Sequence, residues 1–368
     1  MNTIDTKIDA HIDQNLDYWI QQLARLCAQP SVSAQNLGIV ECAELVATML
    51  REQGFTAEVV PSDGNPVVYG EGSGRSDKTL LFYLHYDVQP AEPLDLWESP
   101  PFLLDRRGDK LYARGVTDDK GHIICRLAAL AAVRDAVGHL PCNVKFIIEG
   151  EEEVGSPHMP AFVEQHQDLL AADACIWEFG SVDYEGTPQQ SLGMRGICYV
   201  ELSVKTADID AHSGLGGSLF PNAAWRLTWA LSTLKDQQER ILIPGFYDDV
   251  VGPSRRDLDL IAQLPDEAEQ LKAQFGLERF LLDMEGGVEF RKTAVFSPTC
   301  TICGLEAGYQ GPGAKTVLPA TARAKVDFRL APDQDPADIV QKLRAHLDAQ
   351  GFSDVAITYL GGGRPAKV

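Results

Sequence analysis

The chain is short of positive charge. Its 368 residues carry 32 Lys and Arg against 53 Asp and Glu, a formal net charge of -21. A surface that acidic repels phosphate backbones and anionic lipid, which argues against nucleic-acid and membrane partners. By itself the excess also reads as simple solubility. No apolar run approaches the roughly 18 residues of a membrane span. The N-terminal stretch MNTIDTKIDAHIDQ lacks the basic region and apolar core of a signal peptide. Cysteine is sparse too, with eight residues: Cys27, Cys42, Cys125, Cys142, Cys175, Cys198, Cys300 and Cys303. They lie mostly inside apolar segments, as free thiols of a reducing compartment do, so a cytoplasmic location is expected. Cys300 and Cys303 form a CxxC, but no second pair completes a zinc cage, and two ordinary strand thiols are expected there. Internal repeats and low-complexity segments are absent.

What is present is a globular chain, with 45% hydrophobic residues. Its length exceeds one ordinary core and suggests two domains. LDYWIQQLARLCAQ places Leu16, Trp19, Ile20, Leu23 and Leu26 on one helical face. GIVECAELVATMLREQG is a second amphipathic helix that ends at Gly54. TAEVV and PVVYG read as a strand hairpin, and KTLLFYLHYD, CNVKFIIEG and DACIWEF as buried strands. GHIICRLAALAAVRDAV is a long helix among them. This alternation predicts an α/β domain over 1–195, a sheet covered on both faces. From 196 to 361 the texture becomes α+β. GICYVELSVKT and TARAKVDFRLAP are strands; NAAWRLTWALSTLKD and DPADIVQKLRAHLDAQ are helices. A long insert with helical stretches, PGFYDDVVGPSRRDLDLIAQLPDEAEQLKAQFG, lies between them.

The segment FIIEGEEEVGSPH raises a question of charge. An apolar strand stops and Glu149, Glu151, Glu152 and Glu153 follow within five residues. Packing those together is unfavourable unless a cation sits nearby. Ligands of open α/β sheets bind beyond the carboxyl ends of the strands. There, LLFYL ends in His85 and Asp87, two apart and so on one strand face. ARGVTDDKG presents Asp118 and Asp119 before a helix, and CIWEFG ends in Glu178. Each has a plain alternative: a buried histidine with ordinary partners, aspartates capping the next helix, glutamates on a solvated turn. Together, one imidazole and several carboxylates suit borderline divalent metals such as zinc. A pair of ions bridged by one carboxylate can activate water and polarise a carbonyl, and a spare glutamate can serve as general base.

LHYD, ARGVTDDKG and EGEEEVGS resemble, in order, the three signature blocks of the M20 metallopeptidase family. The resemblance runs from about Ser31 to the end. DIDAHSGLGGS and GAKTVLPATARAKVDFRLAP are similar to the dipeptidase (cytosolic nonspecific dipeptidase and carnosinase) branch. It implies a zinc-exopeptidase-like catalytic domain, a mixed sheet flanked by helices, over 1–195, and an inserted α+β lid, or dimerisation, domain over 196–361. It implies two divalent ions per subunit, zinc before manganese or cobalt. His85 and Glu178 would hold one ion, Glu153 the other, with Asp118 bridging. Asp87 would orient His85, and Glu152 would be the general base. Glu149 and Glu151 match no metal position.

In the second domain, His212 resembles the histidine that steadies the oxyanion in a neighbouring subunit's site, so a homodimer is expected. Thr316 and Arg329 resemble the pair that holds the substrate's C-terminal carboxylate; alone, Arg329 reads as an exposed strand residue. A cis peptide at Asp118–Asp119 is also implied. The activity implied is hydrolysis of the amide bond before a free carboxylate in dipeptides or small peptides. Alternatives are an N-acyl-amino-acid deacylase of the same fold, or a non-catalytic protein holding Ca²⁺ or Mg²⁺ through oxygen ligands, against which His85 argues. The family's catalytic domain resumes after the lid and brings a last histidine to the Glu153 ion. Here the sequence ends at YLGGGRPAKV, where the return would begin. The expectation is a chain that lacks the C-terminal part of the catalytic domain, binds the second ion weakly and is of doubtful activity.

Overall fold

The computed structural model describes residues 3–367 other than 179. The chain divides into two compact units, the first ending at Ser181 and the second beginning at Val182.

The first unit opens with helix α1 (Thr3–Ala28) and helix α2 (Ile39–Glu52). Strands β1 (Thr56–Val60) and β2 (Val67–Gly72) form the antiparallel hairpin read from the sequence. Strand β3 (Ser76–His85), helix α3 (Lys120–Val137), strand β4 (Cys142–Glu149), helix α4 (Met159–Gln165) and strand β5 (Ala174–Ile176) follow. The strands make one mixed sheet in the order β1-β2-β4-β3-β5. β3 pairs parallel with β4 and with β5, whereas β2 runs antiparallel to both neighbours.

Period-two alternation puts Phe82, Leu84, Phe146 and Ile148 into the main core with α1, α2 and α3. Tyr83 and Ile147 point the other way and meet Phe162 of α4. Both sheet faces are therefore covered. The expected face of α1 holds only in its second half. Trp19, Leu23 and Leu26 are buried, Ile20 is half-buried, and Leu16 is 47% exposed. The helix is longer than the core it packs on, so its first turns carry no inward stripe.

β3 and β4 end together, His85 opposite Glu149 in a parallel register. Burial deepens along both strands and is complete at their carboxyl ends. The polar residues after these strands thus start from rigid, fully packed points. Gly150 follows directly, and a Cβ there would lie 2.2 Å from the Tyr86 hydroxyl. Only glycine lets the glutamate loop pass over that ring.

The second unit holds strands β6 (Gly196–Lys205) and β7 (Ala211–His212), helix α5 (Ala223–Ser232) and strands β8 (Thr299–Ala307), β9 (Val317–Leu318) and β10 (Thr321–Leu330). Helix α6 (Pro336–Ala349) and strand β11 (Ala356–Gly363) complete it. Its four-stranded antiparallel sheet has the order β8-β10-β6-β11. Cys198, Val200, Leu202 and Val204 alternate inward from β6. They meet Leu227 of α5 and Ile339, Leu343 and Leu347 of α6, one stripe at helical spacing. The insert between α5 and β8 carries short helices at Arg255–Ile261, Ala268–Phe275 and Val288–Phe296. All eight cysteines are free; Cys300 is buried and Cys303 exposed on β8.

Candidate metal centre

His85 is buried at the end of β3. Its Nδ1 lies 3.1 Å from the Asp87 backbone carbonyl and 3.3 Å from the Asp87 carboxylate. A carbonyl only accepts, so Nδ1 carries the hydrogen. That leaves Nε2 facing outward. It meets Asp118 Oδ1 at 2.9 Å and Glu178 Oε2 at 3.6 Å, both acceptors.

Asp87, wholly buried, ties the first and third blocks together. Its two oxygens accept from the backbone N–H groups of Glu152 (3.2 Å) and Glu153 (3.0 Å). The second block is tied in by Asp119, whose Oδ2 accepts from the His85 backbone N–H at 3.1 Å. Its Oδ1 lies 2.5 Å from His122 Nδ1, and His122 Nε2 lies 3.1 Å from the Gly180 carbonyl. The peptide between Asp118 and Asp119 is cis, as the resemblance implied. Asp119 offers no side-chain cap to α3, so its helix-capping alternative does not apply.

The remaining glutamates divide clearly. Glu149 is buried and accepts from Tyr83 and Ser156, at 2.5 and 2.9 Å. Glu151 pairs with His158 at 2.8 Å. These two are structural. Glu153 accepts from Gln89 Nε2 at 2.8 Å. The Glu152 carboxylate has no hydrogen-bond partner among the described residues.

The electrostatics show a demand for positive charge. Burial pushes Glu152 up to about 7 and Glu178 up to about 8, with help from neighbouring carboxylates. Burial alone would lower His85. The hydrogen bonds to Asp118 and Asp87, and the charges of Asp119 and Glu178, instead raise it to about 12. Glu178 Oε2 is a buried carboxylate oxygen with no hydrogen-bond partner. An imidazole lone pair and two carboxylate oxygens converge with only acceptors between them. A divalent cation with N and O ligands fits that slot, and a proton on His85 fills it otherwise. His85, Asp119 and Glu178 offer ligand atoms all within 4.8 Å of one another.

A model of peptidase family M20/M25/M40 matches residues 81–366. The chain belongs to that family. The M20 chain is 30% identical to a Beta-Ala-His dipeptidase of Rattus norvegicus, over 98% of its own length and 77% of the relative's. A Cys-Gly metallodipeptidase, dug1, of Schizosaccharomyces pombe is 30% identical over 91% and 74%. Among solved structures, an M20 family metallo-carboxypeptidase, Sso-CP2, from Sulfolobus solfataricus superposes with a TM-score of 0.87 and 36% identity, over 94% of this chain and 78% of that one. The M20 chain is a peptidase of the dipeptidase branch.

In the second unit of the M20 chain, His212 and Thr316 meet. His212 Nε2 lies 2.8 Å from Thr316 Oγ1, and Nδ1 accepts from the Gly214 N–H at 3.1 Å. Arg329 is not with them. It stands near the far end of β10, 48% exposed, its Nε 3.3 Å from Asp327. Thr321, where β10 begins, lies roughly 26 Å away along the strand at about 3.3 Å per residue. The β6–β10 ladder runs on past that end, through Thr206 to Ala320, before the β7–β9 pair that carries Thr316. Thr316 thus lies beyond the start of β10 and Arg329 near its end.

Three residues of the first unit escaped the sequence reading, Lys120, His122 and Gln89, and Asp119 was named there without the bonds it makes to His85 and His122. The i, i+3 spacing of Asp119 and His122 was a usable signal. Gln89 and Lys120 gave none, because their partners Glu153, Leu26 and Gln29 are remote in sequence.

These shifts set a pH dependence for the metal-free protein. Glu152 and Glu178 have folded-state pKa values raised above those of the unfolded chain, so they favour the fold most below about 4.5 and lose that contribution as pH rises through about 7 to 8. His85, also raised, adds a loss in the same direction above about 6.5. Asp118 is lowered by its bond to His85 and works in the opposite sense only below about 4. A bound cation must displace these protons, so its stabilisation grows with pH. The Tm increase from added zinc is expected to be larger at about pH 8.5 than at about pH 5.5. Thermal melts of chelator-stripped protein, with and without zinc, measure this; an equal or smaller increase at the higher pH contradicts it.

Proposed function

We propose that this M20 peptidase hydrolyses the amide bond next to the free C-terminal carboxylate of dipeptides and other small peptides, with two divalent ions, zinc first, held at the strand ends. The observation that carries the reading is the acceptor-only slot at His85 Nε2. His85 and Glu178 would hold one ion and Glu153 the other. Asp118 would be the ligand shared between them, because its side chain is 73% exposed and reaches Nε2, whereas Asp119 is buried and already engaged on both oxygens. When bound, the ions supply Lewis acidity toward the amide carbonyl and ease deprotonation of the attacking water. Glu152 accepts the proton of that water and passes it to the leaving amine, which a carboxyl titrating near neutrality does well. Asp87 keeps the His85 tautomer and the loop that carries Glu152 and Glu153. His212 steadies the oxyanion.

Two dipeptidases and a carboxypeptidase among the relatives support a substrate with a free C-terminal carboxylate. Arg329 holds that carboxylate with a guanidinium fork, together with Thr316. Because the two stand toward opposite ends of β10, the pair closes on one substrate only if a second copy supplies His212 and Thr316. The enzyme is therefore a homodimer built on its second unit, the dimerisation domain, and the first unit is the catalytic domain. Light scattering at micromolar concentration is expected to give twice the chain mass, and one chain mass contradicts it. Eight free thiols support a cytoplasmic location; none of the described helices is long and apolar enough to cross a membrane.

The deciding experiment is a zinc-supplemented hydrolysis screen of dipeptides, their C-terminal amides, and N-acetyl and N-succinyl amino acids. Dipeptides are expected to turn over and their amides not. Preferential turnover of the N-acyl amino acids would make the enzyme a deacylase, and no turnover of any class with zinc bound would leave a cation-binding protein.

A further inference from the structure

Lys120 is the residue after the cis Asp118–Asp119 pair, and its side chain is completely buried. A buried ammonium normally demands a carboxylate partner. Lys120 has none at ion-pair distance among the described residues. Its Nζ donates instead to two backbone carbonyls, Leu26 at 3.1 Å and Gln29 at 2.6 Å. Leu26 lies in the last turn of α1, where carbonyls lack intrahelical partners and the helix dipole is negative. The stem passes Gly115, where a Cβ would lie 3.2 Å from it. Just beyond Gln29, Ser31 is buried, donates to the Tyr86 carbonyl at 2.7 Å and accepts from the Val88 N–H at 2.9 Å. One side chain thus fastens the start of α3 to the end of α1, and the same stretch of chain grips the residues on either side of Asp87.

We infer that Lys120 is a positioning residue for the metal centre, a charged strut that fixes Asp118 and Asp119 opposite His85 before any cation arrives. This rests on the reading of that cluster as a metal site. The strut has an internal control. Lys145 on β4 makes the same kind of bond, from Nζ to the carbonyls of Leu169 (2.6 Å) and Ala171 (2.9 Å), at the end of a short helix, and touches none of the ligands.

The test titrates zinc into chelator-stripped protein, against a competing chelator, for wild type, Lys120→Met and Lys145→Met. Both variants lose two bonds to backbone and are expected to melt at lower temperature. Only Lys120→Met is expected to weaken zinc binding, by about 10–100-fold, the range for residues that support metal ligands. Equal zinc affinity in Lys120→Met and Lys145→Met overturns the inference. Absence of zinc binding by the wild type overturns the metal reading instead. Should Lys120→Met fail to fold, hydrogen exchange on wild type decides. The first turn of α3 is expected to be equally protected with and without zinc, and protection that appears only with zinc sinks the inference.

Discussion

Glu152→Gln is expected to keep the metal content of the wild type and lose about 10²–10⁴-fold in kcat. The substitution changes one atom. Its amide keeps the size and polarity of the carboxyl but cannot accept a proton from water at neutral pH. The Glu152 side chain has no hydrogen-bond partner among the described residues, so no bond is broken by the change. The loop is held through the Glu152 backbone N–H on Asp87, which the variant retains. Metal analysis and steady-state kinetics on one sample check both halves. Turnover near wild type would remove Glu152 from the mechanism, and loss of metal would make it a ligand.

Asp87→Ala is expected to be more disruptive than its distance from the substrate suggests. It leaves two part-buried backbone N–H groups, of Glu152 and Glu153, without their acceptor, at up to about 1–3 kcal/mol each. It also frees the loop that carries the general base and one ligand, and strips the His85 imidazole of its carboxylate neighbour. Metal affinity should fall by at least the roughly 10–100-fold typical of groups that orient ligands. The melting temperature of the metal-free protein should fall too. Chelator competition and calorimetry read the two effects separately. An Asp87→Ala protein with unchanged affinity and stability would show that the backbone carbonyl at 3.1 Å alone fixes His85.

How far the sequence foretold this structure depends on whether the cause was local. Strands β3, β4, β6 and β10 are written in period-two or continuous apolar runs, and helices α3 and α6 in long apolar stripes, so their placement was legible. The approach of Asp118 and Glu178 to His85 was legible from strand ends and from ordered motif blocks. The division of labour among the acids was not. Asp118 and Asp119 are neighbours of one type, and only tertiary approach decides that one is exposed while the other is buried against the His85 backbone. Glu149 and Glu151 belong to the same charge run as Glu152 and Glu153, yet Tyr83 and His158 absorb them. Leu16 fits its helical stripe, but the core ends before reaching it. The separation of Thr316 from Arg329 follows from the length of β10, which no motif expresses.

The parallel register that sets His85 opposite Glu149 also bears on how this protein is made. Asp87 and the Glu152 amide that it binds lie 65 residues apart in sequence, and parallel pairing cannot begin until that intervening length has been synthesised and closed. No two adjacent segments form the pocket on their own. A metal ion is therefore expected to meet a finished receptacle rather than a folding nucleus. Biogenesis of the enzyme is thus expected to separate into two stages, in which the chain commits to its topology by apolar pairing and the ion is loaded afterwards as a matter of supply.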